Sequence, residues 1–257
     1  MKANAKMQSP LNVLEFNSFR FRTCPVCGNT DDSRIFAEAN YDLGKLDAFA
    51  FASRKVPEYM HFRLVRCPRC DLLYANPVPE LQGVQRAYEE AAFDSHEEAA
   101  SAAKTYGRLL RSFLGQLSSR GTAVDVGTGD GAFLSELAAE GFETIIGVEP
   151  SSAPVAAAEP RVRPWIRHGF FNESDFSPAS LSLITCFQTL EHVADPMDFC
   201  RSAWRLLKPG GGVLFVDHDY QAMPNRLMGL RSPIFDIEHM QIRSEEHTSE
   251  LQSRVDI

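Results

Sequence analysis

Four cysteines arranged as two C-x-x-C units, "CPVC" at Cys24 and Cys27 and "CPRC" at Cys67 and Cys70, carry the plainest chemistry in this chain. Two residues between thiolates form a tight knuckle that aims both sulfurs at one ion, and two knuckles complete the four-sulfur tetrahedron that Zn²⁺ accepts. Such a closed shell leaves no position for water or substrate, so the expected zinc is structural. Disulfides are the competing use and are disfavoured in a reducing cytosol, while a redox dithiol needs only one C-x-x-C. Gly28 after the first knuckle suits a backbone turn with positive φ; Asp71 holds the matching place after the second and tolerates that conformation. Cys186 and Cys200 stand in the apolar stretches "LSLITCF" and "MDFCRSAW" and read as buried small hydrophobes.

A second set of residues lies in "DVGTGDGAF", where Gly127, Gly129 and Gly131 alternate behind Asp125 and around Asp130. With Ala132, the first two glycines satisfy the dinucleotide pattern G-x-G-x-x-G/A, and Glu149, about twenty residues on, stands where an acid takes a ribose diol. The two aspartates favour a different ligand. They lie where a pyrophosphate would sit, and like charges at that range repel. A cationic ligand suits the loop better.

These residues need a βαβ scaffold. Ala123 to Val126 is a short apolar run, Phe133 to Ala139 has helical spacing, and Thr144 to Val148 reads as a second buried strand. Residues 85–118 are rich in Ala, Glu, Leu and Arg and lack proline, which predicts helices. "LLYANPVPE" predicts a short strand with a proline-rich exit. The chain thus divides into a tail over 1–20, a cysteine module over 21–80, a helical linker over 81–118 and an α/β unit from 119. A length of 257 residues with 44% hydrophobic content suffices for a full core. The net charge of −8 argues against general nucleic-acid binding, which needs a basic surface. No apolar run resembles a signal peptide or spans a bilayer, so a cytoplasmic protein without a membrane span is expected.

The loop "DVGTGDG" resembles motif I, (D/E)-x-G-x-G-x-G, of class I S-adenosylmethionine-dependent methyltransferases. The likeness continues, in order, through "IGVEPS", "LITCFQTLEHVADP" and "RLLKPGGGVLFV". The cysteine module also resembles one found on bacterial members that act on sugars and other small metabolites. The resemblance implies a Rossmann-like parallel sheet and S-adenosyl-L-methionine as cofactor. It places Asp125, Gly127, Thr128, Gly129, Gly131 and Phe133 around the cofactor, Glu149 and Pro150 at its ribose, Gly169 and Phe170 beside its adenine, and Gln188 at its methionine end. In the adenine region, His168-Gly169 stands where the family often has an acid.

Methyl transfer from a sulfonium is an in-line displacement that depends on alignment and exclusion of water, with a base needed for weakly nucleophilic acceptors. His192 in "LEHV" is the natural candidate for such a base, weighed against an architectural hydrogen bond, which the Glu-His pair suits better; His218 in "VDHD" stands second. The irregular stretch "DYQAMPNRLMGLRSPIFDIEHM" is expected to form part of the acceptor pocket. A sugar nucleotide, a polysaccharide precursor or another small metabolite all fit as acceptor. Two other classes fit parts of the pattern: a zinc-module scaffold that binds the cofactor without turnover, and an NAD-dependent oxidoreductase.

The family sheet ends in a hairpin formed by its last two strands, and nothing after Ile242 resembles it. Arg243 to Ser253, "RSEEHTSELQS", are instead what a common sequencing adapter encodes in frame, so 243–257 are expected to lie outside the fold and the domain over 119–242 to be incomplete. The fifth strand, ending near Val216, would then be an exposed edge.

Overall fold

The computed structural model describes residues 18–30, 33–52 and 57–244. The first seventeen residues of the expected tail, and 245–257, lie outside the described residues. Short strands open the chain: β1 (Phe19–Arg20), β2 (Arg34–Ala37), β3 (Leu64–Arg66), β4 (Leu73–Ala75) and β5 (Val78–Pro79). Helices α1 (Leu81–Glu89) and α2 (His96–Phe113) follow. The α/β unit then runs β6 (Thr122–Val126), α3 (Ala132–Ala139), β7 (Thr144–Glu149), α4 (Ser152–Ala157), β8 (Ile166–His168), β9 (Leu181–Phe187), α5 (Pro196–Leu206) and β10 (Leu207–Val216). Last come α6 (Met223–Met228) and β11 (Gln241–Ile242).

Five strands form a parallel sheet in the order β10-β9-β6-β7-β8. Leu181, Leu183, Ile184 and Cys186 of β9 are all buried, as a strand covered on both faces requires. One face packs Val124, Val148 and Ile184 against α5, and the other packs Ala123 and Leu183 against α2 and α3. Helix α5 is capped by Asp195, whose carboxylate accepts from the Asp198 amide at 2.8 Å, and Pro196 fills its first turn. Phe199, Ala203 and Leu206 give it one buried stripe. Because β7 and β9 flank β6 through crossovers running in opposite directions, a crevice opens at the carboxyl end of β6, where the glycine loop begins.

After β10 the chain leaves this sheet. Residues 217–242, assigned by sequence to the α/β unit, pack instead with the N-terminal module: β11 pairs antiparallel with β4 in a second sheet ordered β11-β4-β3-β2. Ile234, Phe235 and Ile237 share one core with Phe51, Phe62 and Leu73. Arg22 fastens the junction by donating to the carbonyls of Ala75 at 3.1 Å, Ala194 at 3.4 Å and Met240 at 2.6 Å. Apolar periodicity does not reveal this, since two-residue strands such as β11 have no period to read.

Among the described residues β10 is an edge strand, pairing only with β9. Arg243 and Ser244, expected outside the fold, have places in it. Arg243 lies 3.1 Å from the Asp217 carboxylate and its carbonyl accepts from the Tyr220 amide, while Ser244 is buried. No helix among the described residues is long and apolar enough to cross a membrane.

Candidate active site

Asp125, near the end of β6, is buried, and Thr185 on β9 donates to it at 2.6 Å. Burial pushes its carboxyl up to about 6, against the Thr185 hydrogen bond and with a further push from Glu149. Glu149 closes β7, twenty residues beyond Gly129, and accepts the Gly129 amide at 2.8 Å and the Ser151 amide at 2.9 Å. Burial raises its pKa against those two donors. Each of its oxygens keeps a further lone pair for a ligand hydroxyl.

The motif glycines divide into two kinds. A Cβ on Gly131 would lie 2.6 Å from Val162 Cγ1, and one on Gly127 2.3 Å from Thr189 Oγ1, so these two serve the protein's own packing. A Cβ on Gly129 would meet nothing within 4 Å. Its amide and the open space before it form the approach to Glu149.

Above the loop opens a cavity of about 930 Å³, walled by the carboxyl ends of β6, β7 and β9 and by α1 and α2. Asp125, Gly127, Thr128, Gly129, Phe133, Glu149, Pro150, Phe170, Gln188 and His192 all line it. Gly131 and Gly169 do not, Gly169 being held by its amide on the Glu149 carbonyl at 2.8 Å. His168, in the adenine region, donates from Nε2 to the Pro150 carbonyl at 2.9 Å, so its ring braces the loop after β7. Phe133 is both wall and core, with its ring 4.8 Å from that of Phe187. The described residues of the wall include nine carboxylates and neither Lys nor Arg.

His192 lines the same crevice. Its Nδ1 is 2.9 Å from the Tyr88 hydroxyl and 3.1 Å from the Glu238 carbonyl. A carbonyl only accepts, so Nδ1 carries the proton and Nε2 the lone pair. Burial lowers its pKa, which keeps the ring neutral. Beside it, Glu191 is 2% exposed, with His218 Nδ1 at 2.7 Å and His239 Nε2 at 3.7 Å from its Oε1. Burial raises the Glu191 pKa, but the neighbouring imidazoles outweigh it and bring the carboxyl down to about 2.

Several wall residues carry no sequence motif. Tyr88 and Tyr106 come from helices read as a linker, and the Tyr106 ring stacks on Phe187 with centroids 4.2 Å apart. His239 comes from the stretch that joins the second sheet, the same irregular stretch expected beside the acceptor, although nothing in it singled out this residue. The apolar faces of α1 and α2 were the available hint, since a helix with a buried stripe must cover something.

The four cysteines of the module converge. Cys24 and Cys70 sulfurs are 3.5 Å apart, as are those of Cys27 and Cys67, and all four lie within 4.8 Å of one another. Tetrahedral Zn–S bonds of about 2.3 Å put sulfurs about 3.8 Å apart, so the set fits zinc. Both knuckles repeat one turn: the Gly28 amide donates to the Cys24 carbonyl and the Asp71 amide to that of Cys67, with φ of +69° and +62°. Asp71 is also anchored, by Arg66 and by the Tyr220 hydroxyl at 2.7 Å. Cys186 and Cys200 are buried in the α/β unit, as expected.

A family model described as a methyltransferase domain matches residues 95–254. Ubiquinone biosynthesis O-methyltransferases are similar over a shorter stretch. The protein of Pseudomonas fluorescens strain SBW25 is 34% identical over 101 residues, which cover 36% of this chain and 42% of that protein. Its counterpart in Pseudomonas putida strain W619 is 36% identical with the same coverage. The match thus spans less than half the length of these curated relatives. Among solved structures, the YcgJ protein from Bacillus subtilis aligns with a TM-score of 0.46 and 22% identity, over 59% of this chain and 68% of that one. Phosphoethanolamine N-methyltransferase 2 of Haemonchus contortus, solved with S-adenosylhomocysteine, aligns at 0.48 and 17%, over 71% and 46%.

Proposed function

Because the chain belongs to the methyltransferase-domain family matched over residues 95–254, we propose that it transfers a methyl group from S-adenosylmethionine to a hydroxyl of a small molecule. The observation that carries this reading is the pairing of Glu149 with the open approach at Gly129, in a cavity whose described wall is rich in carboxylates and lacks Lys and Arg. Such a wall suits a sulfonium and an ammonium and opposes a pyrophosphate. It also favours an uncharged hydroxyl compound, such as a phenol or a free sugar, over a sugar nucleotide. The name of the Pseudomonas relatives supports oxygen as the accepting atom.

S-adenosylmethionine, when bound, supplies the electrophilic methyl. Glu149 would accept the ribose hydroxyls, Asp125 would face the methionyl ammonium, directly or through water, and Gln188 would border the methionine end. Phe133 and Phe170 supply apolar wall that helps exclude water. His192, with Nε2 unprotonated, would take the acceptor proton. The four cysteines would hold a structural Zn²⁺, and Cys67→Ser should remove one zinc equivalent and lower the melting temperature; unchanged zinc content would refute that assignment. The cofactor assignment is tested by calorimetry with S-adenosylhomocysteine and with NAD. Micromolar binding of the former, lost in Glu149→Ala, is expected. Binding of NAD alone would overturn the reading, and binding without turnover across hydroxyl acceptors would favour a scaffold.

A further inference from the structure

The cluster of Glu191, His218 and His239 lies outside the cofactor loop, yet all three residues border the same cavity. One donor atom from each lies within 4.8 Å of the other two. From this arrangement we propose a second metal site, in which these three side chains bind a divalent transition ion of the zinc class and leave one position open toward the acceptor.

The argument starts at His239. Its Nδ1 is 2.6 Å from the Ile234 carbonyl, which can only accept, so the proton of the neutral ring resides on Nδ1 and the lone pair on Nε2. That Nε2 is 3.7 Å from Glu191 Oε1, with both residues buried. In that tautomer two lone pairs face one another, at a separation too long for a hydrogen bond. Two donors on one zinc-class ion, each at about 2.1 Å and opening at 110° to 120°, stand about 3.4 to 3.6 Å apart. The 3.7 Å gap matches that span. His218 Nδ1 donates to the same oxygen at 2.7 Å, so the ion would take the place of that proton, and an opening of about 0.7 Å would bring the nitrogen into the same shell. The Ile234 carbonyl already plays the part that outer partners of metal-bound imidazoles play, fixing tautomer and ring direction. Two imidazoles and one carboxylate with an open fourth position make a reactive shell, in contrast to the closed four-sulfur shell of the module.

This inference rests on the proposed methyl transfer for its role. An acceptor hydroxyl on the open position would lose its proton to His192, whose ring centroid is 4.9 Å from that of His239. The oxygen would then form a bond to the methyl carbon as the carbon–sulfur bond breaks, and the electron pair would leave on sulfur as S-adenosylhomocysteine.

The test is metal content and S-adenosylhomocysteine binding, measured separately on the full chain after reconstitution with Zn²⁺ and removal of excess ion. Two equivalents are expected in the wild type and one in His239→Ala or His218→Asn, with S-adenosylhomocysteine affinity changed less than threefold. Wild type loaded with a single equivalent of Zn²⁺, which the four-sulfur site takes first, and then titrated with Co²⁺ should add a nitrogen- and oxygen-ligand spectrum without thiolate charge transfer. This second measurement decides the matter if neither variant folds. Equal metal content in variant and wild type, or no cobalt spectrum of that kind, overturns the site. A shifted pH–rate profile with unchanged metal content also overturns it and assigns the cluster to proton relay. Loss of S-adenosylhomocysteine binding in the wild type with two ions still bound would sink the methyl-transfer reading and leave the metal site standing.

Discussion

Asp125→Asn should stabilise this protein at neutral pH, and the gain should disappear in acid. The side chain is 3% exposed, and burial leads the shift that pushes its carboxyl up to about 6 from an ordinary value of about 3.9. A carboxyl whose folded pKa is raised costs stability as pH climbs from the unfolded value through the folded one. Two pKa units at about 1.4 kcal/mol each make that cost about 3 kcal/mol above pH 7. Asparagine keeps the shape and an oxygen for the Thr185 hydroxyl but carries no charge to desolvate. Chemical denaturation should therefore find the variant about 2 to 3 kcal/mol more stable at pH 7.5, with the difference falling to about 1 kcal/mol at pH 4.5 and vanishing below the unfolded pKa. Asp217, also raised to about 6 by burial, titrates in both proteins and cancels from the difference. A bound cation would repay the buried charge. S-adenosylmethionine should then bind with release of up to one proton near pH 5.5 and none at pH 8, measured by calorimetry in buffers of different ionisation heat. A stability difference that does not change with pH would refute the reasoning, as would equal proton release by the variant.

The motif glycines should differ in what they tolerate. Gly131→Ala brings a Cβ to 2.6 Å from Val162 on a backbone of φ +77°, so a loss of about 3 kcal/mol is expected, whereas Gly129→Ala, with open space and φ +59°, should cost about 1 kcal/mol but weaken S-adenosylhomocysteine binding at least tenfold. Thermal melts and calorimetry on the two variants separate packing from binding, and equal effects would contradict the division. Asp71→Gly should relieve the backbone at φ +62° yet lose the Arg66 and Tyr220 contacts, for a net loss of about 1 kcal/mol by denaturant titration. A gain in stability would mean that those contacts contribute nothing.

What the sequence made legible follows from how locally each feature is specified. The strands read at Ala123–Val126 and Thr144–Val148 form with shifts of one residue at most, because an apolar run between turn residues carries its own signal. The cysteine pairs converge for a similar reason: each knuckle is a local turn, and two such turns need only one sheet to meet. The glycine loop was legible as a group but not residue by residue. That Gly129 faces open space while Gly131 faces Val162, a partner more than thirty residues away, is something no spacing encodes. The same limit hid which residues of the wall meet one another. Tyr88, His192 and Glu238 meet through Nδ1 of one ring, yet they come from α1, from the turn after β9 and from the segment leading into β11, three places with no common motif. Long-range closure brings them together when β11 completes the second sheet and carries Glu238 and His239 back over the crevice. A change at the β4–β11 pairing, far from the glycine loop, should therefore disturb the His192 side of the cavity before it disturbs Glu149, whose partners Gly129 and Ser151 are held by β7 and its neighbouring turn.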